Sequence, residues 1–162
     1  MAVVNDESAL VLSGFAAFLD PPKASAAPAL AQLQQAGVTI KVVTGDSDLV
    51  TRHVCAQLNI TVTGVLTGKE IAQLDDQALQ RRVETANLFC RVNPGQKQRV
   101  ILALKANGHV VGYMGDGIND APSLHAADVG LSVDSAVDVA KAAADMILLK
   151  QDLNVLHAGV LE

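Results

Sequence analysis

Aromatic side chains are nearly absent from this chain: there is no tryptophan, and Phe15, Phe18, Phe89 and Tyr113 are the only four rings in 162 residues. Half of the sequence is hydrophobic all the same, so its apolar mass is Ala, Val, Leu and Ile, which suits close packing of helices on a sheet. Cysteine is equally scarce. Cys55 and Cys90 have no C-x-x-C spacing and read as buried free thiols in a reducing compartment. No five like charges follow one another, so no interaction tail is present, and no internal repeat or low-complexity tract interrupts the chain. A net charge of −5 argues against nucleic acid as the partner. There is no uninterrupted apolar stretch long enough to span a bilayer and no basic-then-apolar leader, so the 162 residues are expected to be soluble as they stand. The length favours one domain, able to bury about 70% of its unfolded surface.

What is present centres on Tyr113–Asp120, Tyr-Met-Gly-Asp-Gly-Ile-Asn-Asp. The apolar run His109–Met114 leads in and the Ala-rich segment Ala121–Ala127 leads out, which reads as a buried strand, a glycine-loosened turn and a short helix. Asp116 and Asp120 then sit at the carboxyl end of a strand, the edge where open α/β sheets bind ligands. One or two carboxylates with open water positions are what Mg²⁺ asks of a phosphate-handling protein.

The rest of the chain supplies alternating strands and helices. Ala9–Leu19 reads as a strand closed by Asp20-Pro21-Pro22, followed by a helix with Ala26, Ala29, Leu30 and Leu33 on one stripe and an end at Gly37. Val38–Val43 is a β-branched strand stopped by Thr44-Gly45-Asp46, and the next helix carries Leu49, Val50, His53, Val54, Gln57 and Leu58 on one side. Thr61–Leu66 suggests a short strand, Gly68–Leu74 a helical turn, and Asp75–Glu84 a helix opened by an aspartate cap. Leu88–Val92 is a strand, Pro94–Lys105 a helix closed by Gly108, Val129–Val133 a strand, Val137–Ala144 a helix and Met146–Leu149 a last strand. This is the pattern of one doubly wound, mostly parallel sheet.

Such a sheet brings Asp20, Thr44, Gly45, Asp46, Lys97, Asp116, Asn119 and Asp120 to one edge. Thr44 and Gly45 can donate to phosphate oxygens, Lys97 can offer them a point charge, and Asp116 with Asp120 can hold a metal. Each piece alone has a plainer reading as a turn, a cap or a solvated helix face. Their shared placement favours the chemical one. His53, His109, His125 and His157 show no ligand spacing and read as structural or exposed.

These segments carry a resemblance. Leu19-Asp20-Pro21-Pro22-Lys23, Thr44-Gly45-Asp46, Asn93-Pro94-Gly95-Gln96-Lys97 and Gly115-Asp116-Gly117-Ile118-Asn119-Asp120-Ala121-Pro122 resemble the later motifs of P-type cation-transporting ATPases, in the haloacid-dehalogenase superfamily. The likeness continues through Ala126–Gly130 and Ala143–Leu149, and its phrasing is nearest the bacterial magnesium-transporting branch. It implies a haloacid-dehalogenase-like, Rossmann-type three-layer sandwich. It also implies that Asp116 coordinates Mg²⁺, with Asn119 and Asp120 organising the phosphate and metal shell. Thr44 and Gly45 would bind phosphoryl oxygens, Lys97 would neutralise them, and Asp20 and Asp46 would help place ATP.

One departure is decisive for the expectation. The family's nucleophile is the Asp of Asp-Lys-Thr-Gly-Thr, and no Asp here is followed by Lys. Residues 1–8 are therefore expected to lead in from a nucleotide-binding domain. Residues 9–162 would be the C-terminal portion of a phosphorylation domain, without the strand that carries the nucleophile. The isolated chain is expected to be inactive, a soluble cytoplasmic piece of a protein in the bacterial inner membrane, partnered by nucleotide-binding, actuator and transmembrane domains. The missing strand would lie between the strands ending at Thr44 and Asp116. Its gap is expected to close by direct pairing, by insertion of Ala9–Leu19, or by strand exchange in a dimer. A rival reading takes Asp46-Ser47-Asp48-Leu49-Val50 as the nucleophile motif of a stand-alone Mg²⁺-dependent phosphatase, with Asp46 attacking, Asp48 as acid/base and Thr67 binding phosphate. A third is a non-enzymatic Mg²⁺-binding regulatory module on a degenerate fold.

Overall fold

The computed structural model describes residues 11, 13–14, 21–150 and 152–161, and within them four helices start at side-chain caps. α1 (Ala26–Gln35) ends before Gly37, whose φ of +88° favours glycine. After β1 (Val42–Val43), Ser47 caps α2 (Asp48–Gln57) by accepting from the Val50 N–H. β2 (Val65–Thr67) runs straight into α3 (Gly68–Gln73), where Thr67 and Glu70 form a reciprocal capping box. Asp75 caps α4 (Asp76–Thr85), which leads to β3 (Leu88–Cys90). Asn93 and Gln96 form a second capping box at α5 (Pro94–Ala106), with Pro94 at its first position. β4 (Gly112–Met114), a 3₁₀ turn (Ile118–Asp120), α6 (Ala121–Ala126), β5 (Val129–Val133), α7 (Asp138–Ala143), β6 (Met146–Leu148) and α8 (Leu153–Leu161) complete the order.

Cations finish several helices, where free carbonyls collect. Lys41 Nζ donates to Val83 O at 2.6 Å and Ala86 O at 2.8 Å, at the C-terminal end of α4. Arg99 reaches Ile71 O and Leu74 O after α3, and Lys105 Nζ reaches Ala126 O at 3.0 Å after α6.

The strands make two parallel three-stranded sheets, β1–β3–β2 and β4–β5–β6. Phe89 lies opposite Val43 and Leu66, and Leu131 opposite Met114 and Met146. β3 is buried on both faces. Phe89 packs with Leu66, Ile71, Val83 and Val100, under α3, α4 and α5. Leu88 and Cys90 point the other way, into a cluster with Cys55 of α2 and Ile60. That alternation gives the three layers, and both thiols are buried and free. Around the second sheet, Leu124, Ala136, Ala140 and Ala143 pack with Tyr113 and Val133.

From α1 onward the expected order of strands and helices is found, but the single doubly wound sheet of the sequence reading appears as two sheets among the described residues, and several further corrections apply. The pairing residues of the Val38–Val43 run shrink to Val42–Val43, which pair with Leu88 and Phe89 of β3. The α2 face that packs is Thr51 and Cys55, whereas Leu49 and Val50 are exposed at 77% and 56%. The His109–Met114 run was read as a buried strand. In the structure Gly112 and Met114 are exposed, since no described strand covers the outer edge of β4. α8 has no counterpart in the sequence reading; it packs against α1. Among the described residues β1 and β4 do not pair, so the gap between them is not closed by direct pairing. The Ala9–Leu19 strand and Asp20 fall almost wholly outside the described residues.

Candidate functional site

β4 ends at Met114, and the chain turns through Gly115-Asp116-Gly117 into the 3₁₀ turn that carries Asn119 and Asp120. Two neighbours on β5 fix this turn: the Gly115 N–H donates to Leu131 O at 3.1 Å, and the buried Ser132 Oγ–H donates to Gly115 O at 2.8 Å. Gly115 has no room for a side chain. A Cβ there would stand 2.5 Å from Asp120 Cβ and 2.7 Å from its Cγ.

Asp120 is drawn inward and is only 9% exposed. Lys97 Nζ of α5 meets its Oδ1 at 2.7 Å, Tyr113 OH donates to the same oxygen at 2.8 Å, and the Gly117 N–H donates to Oδ2 at 3.2 Å. Burial alone would raise the Asp120 pKa, but the Lys97, Tyr113 and Gly117 hydrogen bonds outweigh it and hold the carboxyl below its ordinary value. Burial, followed by the Asp120 carboxylate, pushes the Tyr113 phenol well above its ordinary value. Asp120 is thus an anion fixed by three donors, with acceptor capacity left on Oδ2.

Asp116 is different. Its backbone carbonyl accepts from the Val137 N–H at 3.1 Å, while its side chain is exposed and makes no hydrogen bond or ion pair among the described residues. It lines an open cavity of about 240 Å³ together with Lys23, Met114, Ser135, Leu148 and Asp152. A partner-free, exposed carboxylate beside a buried one suits Mg²⁺, which keeps several waters and takes one or two protein oxygens. Asn119 is exposed beside them.

Thr44-Gly45-Asp46 forms its own turn beyond β1. Thr44 Oγ1 accepts from the Asp46 N–H and donates to Asp46 Oδ2, both at 3.1 Å. Arg91 N–H donates to Asp46 O and Val92 N–H to Thr44 O, tying the turn to the end of β3. The Gly45 N–H has no acceptor among the described residues. Asn93 follows Val92 and caps α5, so Lys97 stands one helical turn beyond the segment that grips Thr44. No hydrogen bond or ion pair links the Thr44 turn directly to Lys97, Asp116 or Asp120 among the described residues.

A family model for haloacid dehalogenase-like hydrolases matches residues 4–128. The chain belongs to that family. It is 52% identical over 157 residues to a magnesium-transporting ATPase, P-type 1, of Escherichia coli, covering 97% of this chain and 18% of the relative. A protein with the same description from Salmonella typhimurium is 49% identical over 159 residues, and a probable cation-transporting ATPase F of Mycobacterium bovis is 40% identical over 160. The chain spans less than a fifth of the length of these relatives. Among solved structures, the catalytic domain of the CPx-ATPase CopB-B aligns with 87% of the chain and 46% of its own, at TM-score 0.67 and 27% identity. A zinc-transporting PIB-type ATPase aligns with 88% of the chain and 19% of its own, at TM-score 0.68 and 25% identity.

Within this hydrolase family the phosphatase alternative is not favoured, and the geometry gives a reason. Thr67, its required phosphate ligand, is committed as a helix cap: its N–H and Oγ1–H both donate to Glu70 Oε2 at 2.7 Å. Asp46 is held by the Thr44 hydroxyl within the turn. Sequence reasoning also missed two groups of the site, the Tyr113 hydroxyl and Ser132. Tyr113 stood in the motif as an apolar strand residue, and as the chain's only tyrosine its hydroxyl was the available signal.

Proposed function

We propose that this chain is the C-terminal portion of the cytoplasmic phosphorylation domain of an ATP-driven magnesium transporter in a bacterial inner membrane. The carrying observation is the largely buried Lys97–Asp120 pair, at 2.7 Å, set beside the exposed Asp116 carboxylate at the end of β4, which has no side-chain partner among the described residues. Asp116 would be the principal protein ligand of Mg²⁺, with Asp120 Oδ2 and Asn119 completing the shell around it. The ion, when bound, would offset negative charge on phosphoryl oxygens. Thr44 Oγ1 and the open Gly45 N–H would donate to those oxygens, and Lys97 would add its ammonium, held on one side by Asp120. Asp20 and Asp46 would help place ATP.

The Asp that receives the phosphoryl group is not among these 162 residues, so the isolated chain should not turn over ATP. The nucleotide-binding, actuator and transmembrane domains would be its partners. The edges of β1 and β4 that pair with no strand among the described residues would receive the missing strand from the rest of the pump, or by exchange with a second copy. The magnesium assignment is supported by the relatives' names and by the close match of the motif phrases.

The test is a Mg²⁺ titration of the purified chain followed by NMR, without ATP. Weak saturable shifts at Asp116, Gly117 and Asn119 are expected, lost in Asp116→Asn while the fold is kept. Shifts that persist in Asp116→Asn, or a robust ATPase rate from the 162 residues, would contradict the reading.

A further inference from the structure

Two donors converge on one oxygen at the centre of this site. Lys97 Nζ lies 2.7 Å and Tyr113 OH 2.8 Å from Asp120 Oδ1, while Oδ2 takes only the Gly117 N–H at 3.2 Å. A carboxylate oxygen has two lone pairs, so the phenol fills the one that the ammonium leaves. Each donor lowers the basicity available to the other. With Tyr113 in place, Asp120 cannot draw the ammonium further in, and its remaining N–H bonds stay available. Tyr113 is itself fixed, its ring packed in the Leu124 cluster of the second sheet. The fully buried Ser123 hydroxyl lies beside the phenol.

We propose that Tyr113 is a positioning residue: its phenol shares Asp120 Oδ1 with Lys97, and this sharing leaves the Lys97 ammonium free to meet phosphoryl oxygens. The assignment rests on Lys97 as the phosphate-neutralising cation. Tyr113 touches neither phosphate nor metal in this role and acts through Asp120.

Tyr113→Phe tests it, because the ring stays in its cluster and only the hydroxyl goes. The first readout needs no ligand: hydrogen exchange of the Lys97 ammonium, followed by ¹⁵N NMR. Loss of the phenol should slow that exchange roughly tenfold, the equivalent of one hydrogen bond to a charged group. Replacing the single tyrosine by 3-fluorotyrosine, a stronger donor, should move exchange the opposite way, which a purely structural role would not do. The second readout uses inorganic phosphate with Mg²⁺ present: its Kd should rise roughly tenfold in Tyr113→Phe, with the Kd for Mg²⁺ alone moving less than about twofold. Wild-type ammonium exchange in Tyr113→Phe overturns the proposal whatever phosphate does. Slowed exchange with equal phosphate binding by both proteins overturns it too. If neither protein binds phosphate and the ammonium still responds, the positioning stands and the phosphate role of Lys97 falls.

Discussion

Gly115→Ala is the sharpest perturbation the site offers. The added methyl would stand 2.5 Å from Asp120 Cβ, 2.7 Å from Cγ and 3.0 Å from Oδ2. Carbon atoms rest at about 3.5–4.0 Å, so Asp120 must retreat by roughly 1 Å or the turn must open. A shift of that size stretches the 2.7 Å and 2.8 Å bonds from Lys97 and Tyr113 past useful length. Lys97 is then left nearly buried without its anion. Breaking one side of a buried pair costs about 3–5 kcal/mol, and these side chains are 14% and 12% exposed, so about 3 kcal/mol is the fitting figure. Against a total stability of about 5–15 kcal/mol this is a large loss. With a urea slope of about 1–3 kcal/mol per molar, the unfolding midpoint should fall by about 1–3 M. Gly45→Ala is the control, since a methyl there meets only Val92 O, at 3.8 Å. It should cost under about 1 kcal/mol. Equal midpoints for Gly115→Ala and wild type, or equal losses at both glycines, would refute the reasoning.

Three further outcomes are expected. Asp120 is held below its ordinary carboxyl value, with burial opposing and the Lys97, Tyr113 and Gly117 hydrogen bonds prevailing, so its contribution is present above pH about 4 and is lost as pH falls through the folded value. Lys97→Met removes the strongest of those partners, and its acid unfolding, followed by circular dichroism, should begin at higher pH than in wild type. Tyr113 is shifted upward by burial and then by Asp120, so its contribution is complete below the ordinary pH of about 10 and lost above it. As the only tyrosine in a chain without tryptophan, its phenolate absorbance should appear only as the fold melts in base; a normal titration in folded protein would refute this. Lys41→Met strips the shared donor from Val83 O and Ala86 O and should cost about 2 kcal/mol in urea unfolding.

Much of the fold was legible because its signals are local. Asn93-Pro94-Gly95-Gln96 contains both halves of a capping box, and Gly108, at φ +86°, closes the same helix. The Gly115–Pro122 run was legible as a site because its glycines, cap and carboxylates act within eight residues of one another. Periodicity failed where burial depends on a neighbour: Val110 and Met114 are apolar, yet they are exposed at 85% and 37%, because nothing described lies over the edge of β4. The phosphatase reading is not favoured for a related reason. Thr67 after a strand is equally a phosphate ligand or a helix cap, and Glu70, three residues on, decides for the cap. The Tyr113–Asp120 bond spans seven residues across a strand-to-helix turn, a distance at which neither the period of two nor that of 3.6 predicts contact.

The placement of the groups explains why α5 matters more than its plain composition suggests. The Thr44 turn belongs to the first sheet and Asp116 to the second, and β1 and β4 do not pair among the described residues. α5 follows β3 of the first sheet, yet it packs on the 3₁₀ turn and α6 of the second. Lys97 binds Asp120 at the carboxyl end of β4, and Lys105, two turns later, binds Asp128 at 3.0 Å before β5. Asp128 is itself engaged by the Val111 N–H at 2.9 Å, at the start of β4. One helix therefore fixes β4 at both ends. Both ion pairs are formed within this chain, so the carboxyl end of β4 and the turn before β5 are held by α5 itself, and Lys97 is positioned before any ligand arrives.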